Sequence, residues 1–251
     1  MSEAAAERAT WLVLGASSSV ARAFARLAAG EGADILLAGR DRADLERTAA
    51  DLRVRSSRRV EVLDFDAEAF GEHAAFVEAC RLRASRLNVF LAFGAMPPQD
   101  AIDADAALAQ SVIAANYGGA VSVLARLAPL LEAQGGGSVV VLSSVAGDRG
   151  RPKNYVYGSA KAGLNTYLQG LRARLQRRGV GVTTVKAGFL DTAMSFGHPG
   201  MFLVASPDAC ARACLRFARL RRDVVYFPAF WWAIMAIIRL IPERVFKRLD
   251  I

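Results

Sequence analysis

Histidine and cysteine are scarce in this chain of 251 residues, which has only His73 and His198 and three cysteines, Cys80, Cys210 and Cys214. The odd, scattered cysteines lack both the pairing of a disulfide framework and the spacing of a thiolate metal site, so a reducing compartment is expected. No cysteine pair lies near either histidine, and a zinc centre is not expected. A hydrolytic Ser-His-Asp triad would have to use one of the two histidines. Acidic side chains are also in deficit, 24 against 32 basic ones, which leaves a net charge of +8. The opening Met1–Ala9 is acidic and alanine-rich with no basic flank, and the apolar Trp11–Leu14 behind it is too short for a leader peptide. A cytoplasmic catalytic part is therefore expected. Apolar residues are plentiful: at 53% hydrophobic and 22% charged, the composition excludes disorder as the main state and supplies a large core.

Short apolar runs alternate with longer amphipathic stretches, the pattern of repeated βα units on a parallel sheet. Seven strands are predicted, at Trp11–Leu14, Asp34–Ala38, Val60–Leu63, Val89–Phe93, Ser138–Leu142, Val180–Val185 and Val224–Phe227. Six helices are predicted between them, at Val20–Ala29, Leu45–Val54, Phe70–Leu82, Ala106–Leu131, Tyr157–Leu175 and Pro207–Leu220. Linkers are short and glycine-bearing, and no polar segment opens a second domain. The reading is one doubly wound Rossmann-type α/β domain with a seven-stranded parallel sheet over residues 1–228. An apolar and basic extension follows over 229–251.

Several residues point to chemistry. The first strand runs into Gly15-Ala-Ser-Ser-Ser-Val-Ala21, a small-residue turn that would let backbone N–H groups and a helix N-terminus approach a pyrophosphate. The alternative is a tight turn with serine caps. Tyr157-Gly-Ser-Ala-Lys161 places a phenol and an ammonium one helical turn apart on one face, where the ammonium would favour the phenolate and tune a general acid. Ser144 stands at the C-terminal end of the fifth strand, where open parallel sheets hold ligands. Asn116 lies inside the long predicted helix, where an amide needs a reason such as holding a water or bending the helix.

In this order and spacing the residues resemble the short-chain dehydrogenase/reductase family over nearly the whole chain. The match comprises Gly15, Ala92-Phe-Gly94, Asn116, Ser144, Tyr157, Lys161 and Gly188…Thr192. The resemblance implies hydride transfer between a nicotinamide dinucleotide and an alcohol or ketone. Tyr157 would be the acid/base, Lys161 would lower its pKa and hold the nicotinamide ribose, Ser144 would orient the substrate oxygen and Asn116 would support a proton-relay water. Gly15, Ser17, Ser18, Ser19, Val20, Arg40, Asp64, Phe65, Gly94, Gly188 and Thr192 would line the cofactor site, Thr192 at the carboxamide and Asp64 at the adenine, with Asp66 as the alternative. Arg40, where a carboxylate would bind a ribose 2′-hydroxyl, tilts the expectation from NAD(H) toward NADP(H), with Arg42 as a second contact. Four positions depart from the family pattern. Ser19 and Ala21 replace glycines, Leu14 replaces a threonine and Ala187 replaces a proline, so a slightly wider cofactor turn is expected.

The substrate must be read from the ends. Phe227–Ile238 is an aromatic apolar block, followed by Arg239, Arg244, Lys247 and Arg248. It falls short of a bilayer span and suits an interfacial helix, the alternative being a buried dimer or substrate-pocket helix. Ala120–Val123, Ala146–Arg149, Asn154–Gly163 and the ending Arg239–Ile251 are similar to the decaprenylphosphoryl-2-keto-ribose reductases. That likeness implies a lipid-linked substrate, a flavin-dependent oxidase partner subunit and a location at the inner face of the membrane. Arg149, Arg151 or Arg239 would then meet phosphate. Met194, Phe196, Met201, Phe202 and Leu203, with Gly197 and Gly200 as hinges, would close over substrate, or form an ordinary packed loop. The first competing activity is reduction of another apolar ketone, acyl or sterol-like. A non-catalytic dinucleotide sensor would not need Ser144, Tyr157 and Lys161 together. Nucleic-acid binding is not expected, because the arginine clusters sit at helix ends without interleaved aromatics. A homo-oligomer is compatible with the sequence.

Overall fold

All seven apolar runs become strands of one parallel sheet: β1 Ala9–Leu14, β2 Asp34–Gly39, β3 Val60–Asp64, β4 Arg86–Leu91, β5 Gly137–Ser144, β6 Val180–Ala187 and β7 Val224–Phe227. Their order across the sheet is β3-β2-β1-β4-β5-β6-β7. A computed structural model describes residues 9–194 and 202–249 of the protein. The chain winds outward from β1 to β3, then returns past β1 to β4 and winds the other way. This leaves a crevice at the C-terminal ends of β1 and β4, where open α/β sheets place ligands.

The sheet is buried on both faces, which is why its strands read as near-continuous apolar runs. Helices α1 (Ser19–Gly30) and α2 (Arg42–Ser56) cover one face. Helix α3 (His73–Arg81) lies on the other. The predicted helix Ala106–Leu131 is broken into α5 (Ala106–Ile113), a π-helical turn at Ala114–Gly118 and α6 (Gly119–Gln134), preceded by a short α4 (Gln99–Ala104). Helix α6 and α7 (Tyr155–Gln176) join α3, while α8 (Pro207–Arg219) joins α1 and α2. Helix starts follow side-chain capping: Ser18, Asp41 and Ser206 each accept a first-turn backbone N–H. The expected start of α3 at Phe70 moves to His73, because Asp66 to Glu72 form turns. His73 is held between Ser122 Oγ (2.8 Å) and the Asp66 carbonyl (2.9 Å), away from Ser144. All three cysteines are buried thiols of the core.

After β7 the chain forms α9 (Trp231–Leu240) and α10 (Glu243–Phe246). Helix α9 has two unlike faces. Trp231 (2% exposed) and Met235 (0%) pack with Val145, Phe189 and Tyr226, whereas Trp232 (65%), Ile237 (67%) and Leu240 (82%) face outward. Helix α9 is thus seated on the domain by one face only.

Candidate active site

The turn after β1 has the form of an anion cradle. Gly15 has φ +79°, and a Cβ there would come within 2.7 Å of the Phe93 backbone nitrogen, so only glycine fits this close approach between the β1 and β4 turns. Gly15 and Ala16 both donate to the Ala38 carbonyl (2.9 and 3.0 Å), which ties the turn to the end of β2. Ser18 accepts from Ala21 N at 3.2 Å. The first-turn N–H groups of α1 have no carbonyl one turn earlier to bond, and they point with the positive end of the helix dipole toward the crevice. Ser17 and Ser19 are exposed on the same turn, while Val20 and Ala21 are buried beneath it.

Across the crevice, Tyr157 and Lys161 are buried on one face of α7, with Lys161 Nζ 5.6 Å from the centre of the Tyr157 ring. Ser144, the last residue of β5, hydrogen-bonds Tyr157 and accepts from Ala146 N at 3.1 Å. The π-helical turn gives Asn116 its reason for being in a helix. Its Nδ2 donates to the carbonyls of Ala95 (2.7 Å) and Val112 (2.9 Å), which leaves Oδ1 buried and without a partner among the described residues. That oxygen lies against the bare Cα of Gly94, where a Cβ would also stand 3.4 Å from Lys161 Nζ. An orphan acceptor and an ammonium therefore flank a space kept open by glycine, a slot suited to a hydroxyl-bearing group such as a ribose or a water. Together with the Gly15 turn, these observations fit a dinucleotide.

Burial shifts both titratable groups toward their neutral forms. It pushes the Tyr157 phenol up to about 12, against which the Ser144 hydrogen bond works, and brings the Lys161 ammonium down to about 8. The tuning of the phenol by the ammonium that the sequence suggests is thus outweighed by desolvation in the protein alone.

The chain belongs to the short-chain dehydrogenase family. The family model, described as short chain dehydrogenase, matches residues 9–198. An uncharacterised oxidoreductase of Mycobacterium tuberculosis is 34% identical over 239 residues, covering 95% of this chain and 96% of the relative. Sulfoacetaldehyde reductase 2 of Chromohalobacter salexigens is 35% identical over 202 residues, 80% of each chain. Among solved structures, a short-chain dehydrogenase from Sphingobium yanoikuyae in complex with NADPH is 26% identical, with a TM-score of 0.75 over 93% of this chain and 96% of that one. As a short-chain dehydrogenase, the protein is an NAD(P)-dependent oxidoreductase with a Rossmann-type fold.

Other expected positions of this short-chain dehydrogenase fall as follows. Asp64 and Arg42, expected at the adenine and the 2′-phosphate, pair with each other at 2.8 Å across the ends of β3 and α2. Arg40 is exposed and has no ion-pair partner among the described residues. Phe65 turns its ring into the core against His73, Phe76 and Phe93, so it meets the crevice through its backbone. Gly188 follows β6 with no room for a Cβ, because the Trp231 indole lies against it. Thr192 is half-buried just beyond a neck in which Leu190 bridges Ala205. Met194, Phe202 and Leu203 are exposed. Phe196, Gly197, His198, Gly200 and Met201 lie outside the described residues.

Arg149 is corrected from phosphate ligand to structural clamp. Its guanidinium donates to the carbonyls of Ile238, Arg239 and Ile241 at the end of α9, pairs with Glu243 at 2.7 Å and covers the Phe246 ring at 4.1 Å. The sequence reading also missed Ser143, whose hydroxyl donates to Asn165 on α7 at 2.6 Å and fixes the helix one residue before Ser144. Gly147 and Gly158 let the turn after β5 lie directly on α7. The glycine inside Tyr157-Gly-Ser-Ala-Lys161 was the available signal for that contact.

Proposed function

We propose that this short-chain dehydrogenase reduces the 2-keto group of a pentose carried on a polyprenyl phosphate, after a flavin-dependent oxidase partner has formed the ketone, at the inner face of a membrane. The observation that supports reduction is the buried Ser144–Tyr157–Lys161 site beside Gly94. A phenol pushed up to about 12 is protonated at neutral pH and stands loaded as an acid, the state needed to protonate a carbonyl oxygen. Ser144 orients that oxygen by hydrogen bonding, and Lys161 and the Asn116 oxygen hold hydroxyl groups or water at the Gly94 slot. A nicotinamide dinucleotide, when bound, supplies the hydride. The Gly15 turn, Ser17, Ser18, Ser19 and Val20 would hold its pyrophosphate, and Gly188 and Thr192 would flank its nicotinamide. With Arg42 engaged by Asp64, Arg40 is the cation left to receive a 2′-phosphate, which favours NADP(H).

The lipid part of the reading is supported by the outward apolar face of α9 and its trailing Arg239, Arg244, Lys247 and Arg248. The named C. salexigens relative reduces an aldehyde that itself bears an anion, in keeping with a charged carbonyl substrate here. An acyl or sterol-like ketone is the competing substrate. Substrate profiling with NADPH and NADH separates the two. The expected result is turnover of a prenyl-phosphate-linked 2-keto-pentose and poor turnover of acyl and steroid ketones; the reverse pattern rejects the sugar.

A further inference from the structure

Arg151 lies in the segment that leads from Ser144 to the helix bearing Tyr157. It is half-buried, its Nε is fully buried, and it makes no side-chain hydrogen bond among the described residues. Among the described residues Asp148 is the acid beside it, and Asp148 is already engaged. One oxygen of that buried carboxylate accepts from Lys186 Nζ, and the other accepts from the Tyr226 hydroxyl at 2.7 Å. Tyr226 is bonded in turn by Arg239. One carboxylate therefore faces Lys186 and Arg151, an excess of one positive charge in a partly dry pocket. Burial works against the Arg151 charge, as expected for a cation short of a counter-ion.

The Arg151 carbonyl accepts from Asn154 N (3.2 Å), and the Asn154 carbonyl accepts from Gly158 N (2.7 Å), the residue after Tyr157. Arg151 is thereby indexed to the reacting end of the cleft. Lys186 and Tyr226 belong to β6 and β7, on the opposite side of the sheet from the Gly15 turn and Arg40 at β1 and β2, so the phosphates of the dinucleotide are not its ligand. Arg149, two residues earlier, shows the contrast, with its donors committed to α9 and Glu243.

We infer that Arg151 forms an oxyanion subsite that grips a phosphate carried by the substrate close to the reducible carbonyl. The guanidinium fork suits two phosphate oxygens, and an unpaired buried donor gains most when such a partner arrives. This inference rests on the proposed reduction of a phosphate-linked keto-sugar and names the residue that would select for it.

The test compares two soluble ketones on the NADPH-loaded enzyme, a 2-keto-pentose bearing a short isoprenyl phosphodiester at C1 and the same sugar as its methyl glycoside. The expected result is a wild-type preference in kcat/KM for the phosphodiester that falls roughly 10- to 100-fold in Arg151→Gln, the size of a charge-assisted hydrogen bond. Methyl glycoside turnover and NADPH affinity should not change, and Arg151→Lys should restore part of the preference. A wild-type enzyme without preference, or a variant that slows both ketones equally, overturns the subsite while leaving carbonyl reduction standing. Phosphorus NMR titration of inorganic phosphate into the NADPH-loaded protein reads the site without any ketone, and so keeps it testable if the sugar assignment fails. Binding that weakens in Arg151→Gln supports the subsite, and no wild-type binding or equal binding in both overturns it. If Arg151→Gln loses attachment to phosphatidylglycerol vesicles but keeps the ketone preference, the anion is a lipid headgroup and the substrate subsite is wrong.

Discussion

Tyr157 and Lys161 are shifted in opposite directions by one cause, the removal of water, because one is charged when deprotonated and the other when protonated. The shifts have a consequence for stability that is independent of activity. Lys161 falls from its ordinary 10.5 to about 8 in the folded protein, so between pH 8 and 10.5 the unfolded chain binds a proton that the native one does not. Stability of the cofactor-free protein therefore rises with pH through that window, and the full cost of burying the ammonium, on the order of 3 kcal/mol, is present below pH 8. Tyr157 acts in the reverse sense only above pH 10, where the unfolded phenol ionises and the native one does not. Urea unfolding at pH 7.5 and at pH 9.5 should show the wild type gaining stability on the alkaline side while Lys161→Met stays flat. A parallel gain in both proteins would assign the rise to other groups. For catalysis, Tyr157→Phe should lower carbonyl reduction by roughly 10²- to 10⁴-fold, the usual worth of a positioned general acid. NADPH affinity, followed by fluorescence, should stay close to normal, and retained turnover would remove Tyr157 from the acid role. These two residues were legible because a four-residue spacing on a helix dictates a shared face whatever surrounds it. The Ser143–Asn165 bond and the unpaired Asn116 oxygen were not, since each depends on which segments the fold stacks together.

At the scale of elements, all seven strands were readable to within three residues at their ends, because a parallel sheet buried on both faces leaves an apolar run with polar ends. Two helical features were not. The apolar periodicity over Ala106–Leu131 is nearly continuous and hides the π-helical turn, which Asn116 stabilises through Ala95, a residue of the loop after β4. The seating of α9 was equally hidden, because the clamp on its last carbonyls is Arg149, some ninety positions earlier in the chain. Those carbonyls have no helical donors of their own, and a planar fork that reaches three of them, an acid and a ring is hard to replace. Arg149→Ala should cost about 2–3 kcal/mol, in line with lost bonds to a charged donor and a ring contact. Hydrogen exchange should show faster exchange across α9 and α10 with β1 to β6 unchanged, and Arg149→Lys should recover little. Uniform loss of protection would mean that the clamp supports the whole domain and not this element.

For the whole molecule, the question is what meets the outward side of that clamped helix. Phe230, Trp232, Ile237, Leu240, Val245 and Leu249 are exposed along one short stretch, with four basic residues among them, on a chain whose net charge is +8. Ten residues of α9 fall well short of a bilayer span, and its inner face is committed to Gly188 and Val145, so insertion across a membrane is not its role. Lying in an anionic interface fits both halves of the pattern. Burying Trp232, Ile237 and Leu240 in acyl chains contributes roughly 1.5–3 kcal/mol each, and each nearby cation adds about 1 kcal/mol on anionic lipid. The protein should float with phosphatidylglycerol vesicles and only weakly with phosphatidylcholine vesicles, and 0.5 M salt should reduce the anionic preference without abolishing attachment, because screening removes the charge contribution and leaves the apolar one. Trp232→Ser, Ile237→Ser and Leu240→Ser combined should release it while leaving reduction of a soluble ketone unchanged, since none of the three faces the cleft. If the triple variant floats like the wild type, or if the wild type is a dimer by light scattering and the variant a monomer, this face is covered by protein and the membrane reading fails.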